Sequence, residues 1–154
     1  MWNDTAPSAT LFTLGLDASV NGDEATIAYC FHSVDGFSKM GKYDGNATSL
    51  AEGLDGTFVY TGFRPAWVMC KLTSLNGESW LIKDSERSPY NPAESYVYAD
   101  KTSAAEDGGN SIRHIDFLSN GFKFKGHSSE LNEITKEYIY MAFAETPFKY
   151  ANAR

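Results

Sequence analysis

Three features of this sequence predict an all-β protein, an antiparallel β-sandwich with an internally duplicated hairpin. Aromatic residues make up 14% of the chain, with nine Tyr and ten Phe, and large flat side chains suit half-buried pleated surfaces. The dipeptide Asn-Gly, which supplies the positive φ angles of a type I′ hairpin turn, occurs at Asn21-Gly22, Asn76-Gly77 and Asn120-Gly121. Finally, TIAYCFHSVDGFSKMGKY (26–43) and YIYMAFAETPFKYANAR (138–154) share one pattern: an apolar run, a short break, a second Phe and a small basic patch.

Taken in order, the elements follow from turn geometry. A two-residue turn at Asn21-Gly22 sets Phe12 opposite Phe31, Leu14 opposite Tyr29 and Leu16 opposite Ile27, three apolar pairs on one face. DGNATSLAEGLDG (44–56) is Gly-rich without period and reads as a surface loop. FVYTGFRPAWVMCKLT (58–73) gives two short strands around a bend at Gly62–Pro65. Asn76-Gly77 turns the second of these into a strand at 79–84. SERSPYNPAE (85–94) holds two prolines and reads as an irregular loop. SYVYA (95–99) alternates as a strand, and KTSAAEDGGNS (101–111) is loop, with a helical turn near Ser103–Glu106 as the one helical signal.

A turn at Asn120-Gly121 pairs Phe117 with Phe124 and Asp116 with Lys125. Ile115, Phe117, Phe122 and Phe124 then share a dry face, and His114, Asp116, Lys123 and Lys125 a wet one. A turn at Asn132-Glu133 would pair Phe122 with Phe143 and Phe124 with Met141, repeating the first hairpin. The last strand is apolar on both faces. Its Tyr138, Tyr140, Ala142 and Ala144 face needs a cover, expected from the segment 66–84 with Trp67, Met69 and Trp80. Phe148 and Tyr150 in the tail are expected to dock, with Tyr138 and Tyr140, onto the sheet or a neighbouring subunit.

Length and charge bound the function. A chain of 154 residues is expected to form one domain, 1–154, with enough core to fold unaided. The formal net charge is −7, from 13 Lys and Arg against 20 Asp and Glu. No basic cluster offers a footprint for nucleic acid or an anionic membrane, and no apolar run is long enough to span a bilayer. Cys30 and Cys70 lie in strand-like runs and are expected to be buried free thiols. His32, His114 and His127 are scattered, and no His-x-His or Cys-x-x-Cys spacing occurs, so no metal site and no cofactor are predicted. The carboxylates Asp84, Glu86, Asp100, Glu106 and Asp107 are the material for a glycosidase-like pair, yet solvated loop charge explains them as well. No catalytic residue is assigned and the chain is read as non-enzymatic. The segment DSERSPYN (84–91) is the best ligand-binding candidate, because Trp80, Asp84, Arg87, Tyr90, Asn91 and Tyr96 bring Arg and aromatics to one loop region. An Asp84–Arg87 pair that pins the loop is the competing reading.

Several phrases together, FVYTGFRPAWVMCK, WLIKDSERSPYNP, IDFLSNGFKFKG and the ending YIYMAFAETPFKYANAR, resemble a domain common at the C-terminal end of tailed-phage virion proteins. Many of these are tail fibres of marine and cyanobacterial phages, in which a concanavalin- or laminin-G-like sandwich often precedes the domain. The resemblance runs from WNDTAP to Arg154. It implies a non-catalytic virion component, tail- or head-fibre-like, located in the virion. Its expected partners are other virion proteins, further copies of itself (a trimer first) and host surface glycans. A capsid decoration or cement protein is the alternative, and a glycan-degrading module is a third reading.

Overall fold

A computed structural model describes residues 3–47, 56–103 and 111–148, and the chain divides into two compact units, Met1–Phe31 and His32–Arg154. The second unit is all-β. Its strands are β1 (Ser38–Asp44), β2 (Phe58–Tyr60), β3 (Pro65–Leu72), β4 (Leu81–Asp84), β5 (Val97–Tyr98), β6 (Ile115–Leu118), β7 (Gly121–Phe124) and β8 (Glu137–Ala144). They form two antiparallel sheets, one of five strands in the order β1-β8-β3-β4-β5 and one of three in the order β2-β7-β6. Alternation is what makes this a sandwich. Val68, Cys70, Leu72, Leu81, Tyr138, Tyr140 and Ala142 of the large sheet are buried, as are Val59, Ile115, Phe117, Phe122 and Phe124 of the small one. Rings knit the two layers together, Phe122 edge-on to Tyr140 and Tyr43 stacked between Phe124 and Tyr138.

The bend at Gly62 moves the chain from the small sheet to the large one, between β2 and β3. Gly62 has φ +85, a conformation that costs glycine nothing. Gly77 has φ +99 in the connection from β3 to β4, so the second Asn-Gly does serve a turn between antiparallel strands. The irregular loop 85–94 and the strand at 97–98 also follow the sequence.

The first unit departs from its prediction. No strand forms in 11–32; Ala18–Asn21 is a single helical turn. Asp17 caps it, its carboxylate accepting the Ser19 N–H at 2.9 Å and the Ser19 hydroxyl at 2.7 Å, and this local bonding competes with strand pairing. Gly22 has φ −85, so the positive φ of a type I′ turn is never adopted. Without that hairpin there is no internal duplication.

The Asn120-Gly121 turn is tight but shifted. Asp116 lies opposite Lys123 and Phe117 opposite Phe122, with Ser119 and Asn120 at the tip. Gly121 is drawn into β7 because the Val59 carbonyl comes within 2.2 Å of where its Cβ would stand; any side chain there would drive β2 off the sheet. A two-residue shift keeps every face, so Ile115, Phe117, Phe122 and Phe124 remain on the dry side, and Asp116 still meets Lys125 at 3.8 Å.

Asn132-Glu133 is not a hairpin turn either. Asn132 is fully buried and works as a hub: its amide donates to Gly126 O (3.1 Å) and Asn46 Oδ1 (3.2 Å), and its Oδ1 accepts the Asn46 N–H (3.2 Å). The segment carries the chain from the small sheet to the large one. There β8 takes the place between β1 and β3, so Phe122 and Phe124 do not pair with Phe143 and Met141. The two related phrases meet instead of repeating: β1 and β8 are direct neighbours, with Met40 opposite Met141.

Candidate functional site

Burial along β8 decides which surface is available. Tyr138, Tyr140 and Ala142 point into the core, while Ile139, Met141 and Phe143 point outward. The cover over the Tyr/Ala face is the three-stranded sheet, not 66–84 as predicted. Trp67 and Met69 belong to the same sheet as β8, beside Phe143 and Met141. The outer face of the large sheet is therefore apolar. One row crosses all five strands as Met40, Met141, Met69, Ile82 and Val97, each half-buried. Met40, Met69, Trp80, Ile139 and Met141 line a shallow cleft of about 290 Å³ on this face. Methionines on a binding face adapt to different partners because the thioether is flexible and polarizable. Lys42, Lys71, Asp84 and Glu137 supply charge around it, with Lys42 paired to Glu137 at 2.7 Å.

In the first unit several apolar side chains are exposed. Leu16 is 98% exposed, Tyr29 81%, Ile27 76% and Leu11 71%. Cys30 is exposed too, contrary to expectation, because the strand that would have buried it does not form; Cys70 is buried as expected, and both are free. Burial pushes the Cys70 thiol up to about 12, which keeps it protonated and inert.

The residues predicted from the central loop do not converge. The Asp84 carboxylate accepts the Arg87 N–H at 2.8 Å and pairs with the Arg87 guanidinium. Asn91 is a clamp on β6: its amide donates to Phe117 O and its Oδ1 accepts the Phe117 N–H, both at 2.9 Å. The Ser88 hydroxyl accepts the Glu94 and Ser95 N–H groups, and Ala93 bridges to Ile115. The loop thus closes the β6 edge of the small sheet, an edge that would otherwise invite pairing. Tyr90 stands at its tip, 83% exposed. Tyr96 lies in the core, and Trp80 lies on the outer face of the large sheet. Among the predicted docking residues, Tyr138 and Tyr140 hold the two sheets together. Phe148 folds back onto Phe37, with ring centroids 5.6 Å apart and planes nearly parallel, and its N–H donates to Gly36 O at 2.6 Å. Tyr150 lies outside the described residues, as do 48–55 of the first loop and 104–110 of the later one.

A buried polar cluster sits where β5 meets the segments 111–113 and 128–130. The Glu130 carboxylate accepts the Tyr98 hydroxyl at 2.8 Å and pairs with Arg113. Lys101 rides over the Tyr98 ring at 3.7 Å. Lys83, 2% exposed, donates to Ala93 O (3.1 Å) and Glu94 O (2.6 Å), and burial brings its ammonium down to about 7. Both Glu130 oxygens are occupied by donors, so it is placed as a structural anchor. Among the described residues, no three His, Cys, Asp or Glu side chains gather as metal ligands, and no helix is long and apolar enough to cross a membrane.

Residues 1–147 match the family described as Domain of unknown function (DUF7483). The chain belongs to that family. No curated protein and no solved structure matches it. In this DUF7483 chain the sequence reading passed over the methionine row and the exposed first unit. The spacing Met40, Met69 and Met141 carries no motif, and the cross-strand row exists only once β8 is known to lie between β1 and β3.

Proposed function

We propose that this DUF7483 chain is a non-enzymatic structural protein of a tailed-phage virion, tail- or head-fibre-like, that assembles with copies of itself and with other virion proteins. One observation carries the reading: the buried core lies wholly in the second unit, while the first unit leaves Leu11, Leu16, Ile27 and Tyr29 exposed. Burying each such side chain in an assembly would contribute about 1.5–3 kcal/mol. Side chains left exposed in this way are available for burial against a neighbouring chain. The methionine row on the large sheet is a second contact of the same kind, and the resemblance to phage virion proteins supplies the setting. A trimer is the first expectation.

Light scattering on the purified full chain tests it. The expected mass is a multiple of 17.0 kDa, and Leu16→Asp with Tyr29→Ser should return it to one copy with circular dichroism unchanged. A wild-type chain that stays a single copy at high micromolar concentration, and does not sediment with phage particles, would overturn the proposal.

A further inference from the structure

The sheet edges differ in how their backbone groups are satisfied. On β6 the groups that face away from β7 belong to Ile115 and Phe117, and all are taken. Ala93 bonds both groups of Ile115, at 2.7 and 3.4 Å, and the Asn91 side chain bonds both groups of Phe117, at 2.9 Å each. On β1, Val34 bonds both groups of Ser38, and Ser33 Oγ accepts the Met40 N–H at 3.0 Å. The other edge of the small sheet, β2, is bare. Thr61 N–H donates to Asn120 O at 3.0 Å and Phe124 N–H to Thr57 O at 3.1 Å, so Thr57, Val59 and Thr61 turn their backbone groups towards β7. By alternation Phe58 and Tyr60 turn theirs to the open side, and among the described residues nothing bonds them there. Their rings are exposed, 43% and 63%, while Val59 between them is buried. The stretch 57–61 holds neither charge nor proline, the usual guards of an open edge.

We propose that β2 pairs with β2 of a second copy, antiparallel about a two-fold axis at Val59. The segment TFVYT (57–61) selects its own copy because it has the same character in both directions: Thr, aromatic, Val, aromatic, Thr. Pairing about Val59 sets Phe58 opposite Tyr60 of the second copy, and Tyr60 opposite its Phe58. Each of these residues offers one N–H and one C=O to the pairing side, so every bare group gains a partner. The outer face then holds two cross-strand aromatic pairs. The inner face holds Val59 against Val59 and Thr57 against Thr61, pairs that antiparallel strands favour. Sliding the register by two residues in either direction sets an aromatic against Gly56 or Gly62 and loses a ring pair, so the symmetric register is the preferred one. The joined sheet runs from one β6 to the other, and both of those edges are already occupied. Pairing therefore closes at two copies and does not continue into a fibre. The contact is short, and its hydrogen bonds and ring pairs correspond to a Kd on the order of millimolar, a concentration that copies held side by side reach. The inference goes beyond the assembly reading, since it uses neither the exposed side chains of the first unit nor the methionine row.

NMR on the full chain carrying Leu16→Asp and Tyr29→Ser tests it, because association through the first unit is removed there. Isotope-labelled and unlabelled protein are mixed and concentrated into the millimolar range. The amide signals of Phe58 and Tyr60 should shift with concentration. A contact between Thr57 Hα of one copy and Thr61 Hα of the other should appear in the isotope-filtered spectrum; within one chain these residues are about 13 Å apart, too far to produce it. Phe58→Lys with Tyr60→Lys sets like charges opposite each other and should abolish that contact. Phe58→Glu with Tyr60→Lys sets opposite charges across both pairs and should keep it. Amide signals that do not move with concentration, shifts confined to the methionine row, absence of the Thr57–Thr61 contact, or equal association of the two charge variants would each overturn the inference. Light scattering on the wild type decides the assembly reading separately, since that association is absent from the protein used for NMR, and either proposal can fail while the other stands.

Discussion

Lys83 gives the fold a pH dependence whose sign and size follow from its surroundings. Its ammonium is buried under the Tyr96 ring, 5.1 Å from the centroid, and donates to the Ala93 and Glu94 carbonyls. Burial lowers it from 10.5 to about 7; the Arg113 charge adds to this and the Glu94 carboxylate opposes it. The unfolded chain therefore binds this proton more tightly than the folded one. Stability rises with pH from about 7 towards 10.5 and is lost as pH falls through that window. Between pH 7 and 8.5 the linkage relation gives about 1.5 kcal/mol, or about 5 °C in melting temperature for a domain of this size. The window stops at 8.5 because the buried Cys70 thiol acts in the opposite sense from about pH 9 upward. Lys83→Met keeps the stem and removes the titrating group. It leaves two carbonyls without their donor at about 1–3 kcal/mol, so the readout is the slope and not the absolute stability. Thermal melts of both proteins at pH 7.0, 7.75 and 8.5 should show a rise for the wild type and a flat line for the variant. A flat wild type, or a variant with the same slope, would refute the assignment.

Thiol labelling should find Cys30 reacting at once in the native protein and Cys70 only after denaturation; simultaneous labelling of both would contradict the fold. Asn132→Ala removes three hydrogen bonds at a fully buried hub and should lower stability by about 2–4 kcal/mol in urea melts; a change below about 0.5 kcal/mol would mean that the loop crossing does not depend on it. Truncation after Glu145 removes the Phe148–Phe37 stack and the bond to Gly36 while leaving β8 whole. It should cost about 1 kcal/mol, and an unchanged melting temperature would show the tail docks elsewhere.

Much of the sandwich was legible where two signals agreed. In 115–124 the alternation of Ile115, Phe117, Phe122 and Phe124 fixed the faces even though the turn moved by one position, because a shift of two residues in pairing leaves parity intact. At Gly77 the glycine does adopt the positive φ its motif calls for. The failures came where one signal stood alone. Asn21-Gly22 looks like a hairpin turn until Asp17 is weighed as a cap, and Gly121 is there for the approach of the Val59 carbonyl, a long-range demand that no local motif announces. The two similar phrases suggest copies of a hairpin, yet similarity of pattern is equally served by two strands lying side by side, as β1 and β8 do. The candidate loop illustrates the same limit. Asp84, Arg87 and Asn91 stand out in the sequence, but their partners in the fold are one another and the Phe117 backbone. The surfaces that the fold leaves outward depend on which face of β8 is covered, and that was set by the strand order.

Electron cryomicroscopy of the assembled particle tests the central claim most directly. The expected result is density for the two-sheet sandwich at symmetry-related positions on the virion, with Leu16, Ile27 and Tyr29 buried against a neighbouring chain. Particles that lack this chain, or that carry it with those side chains still facing solvent, would contradict it.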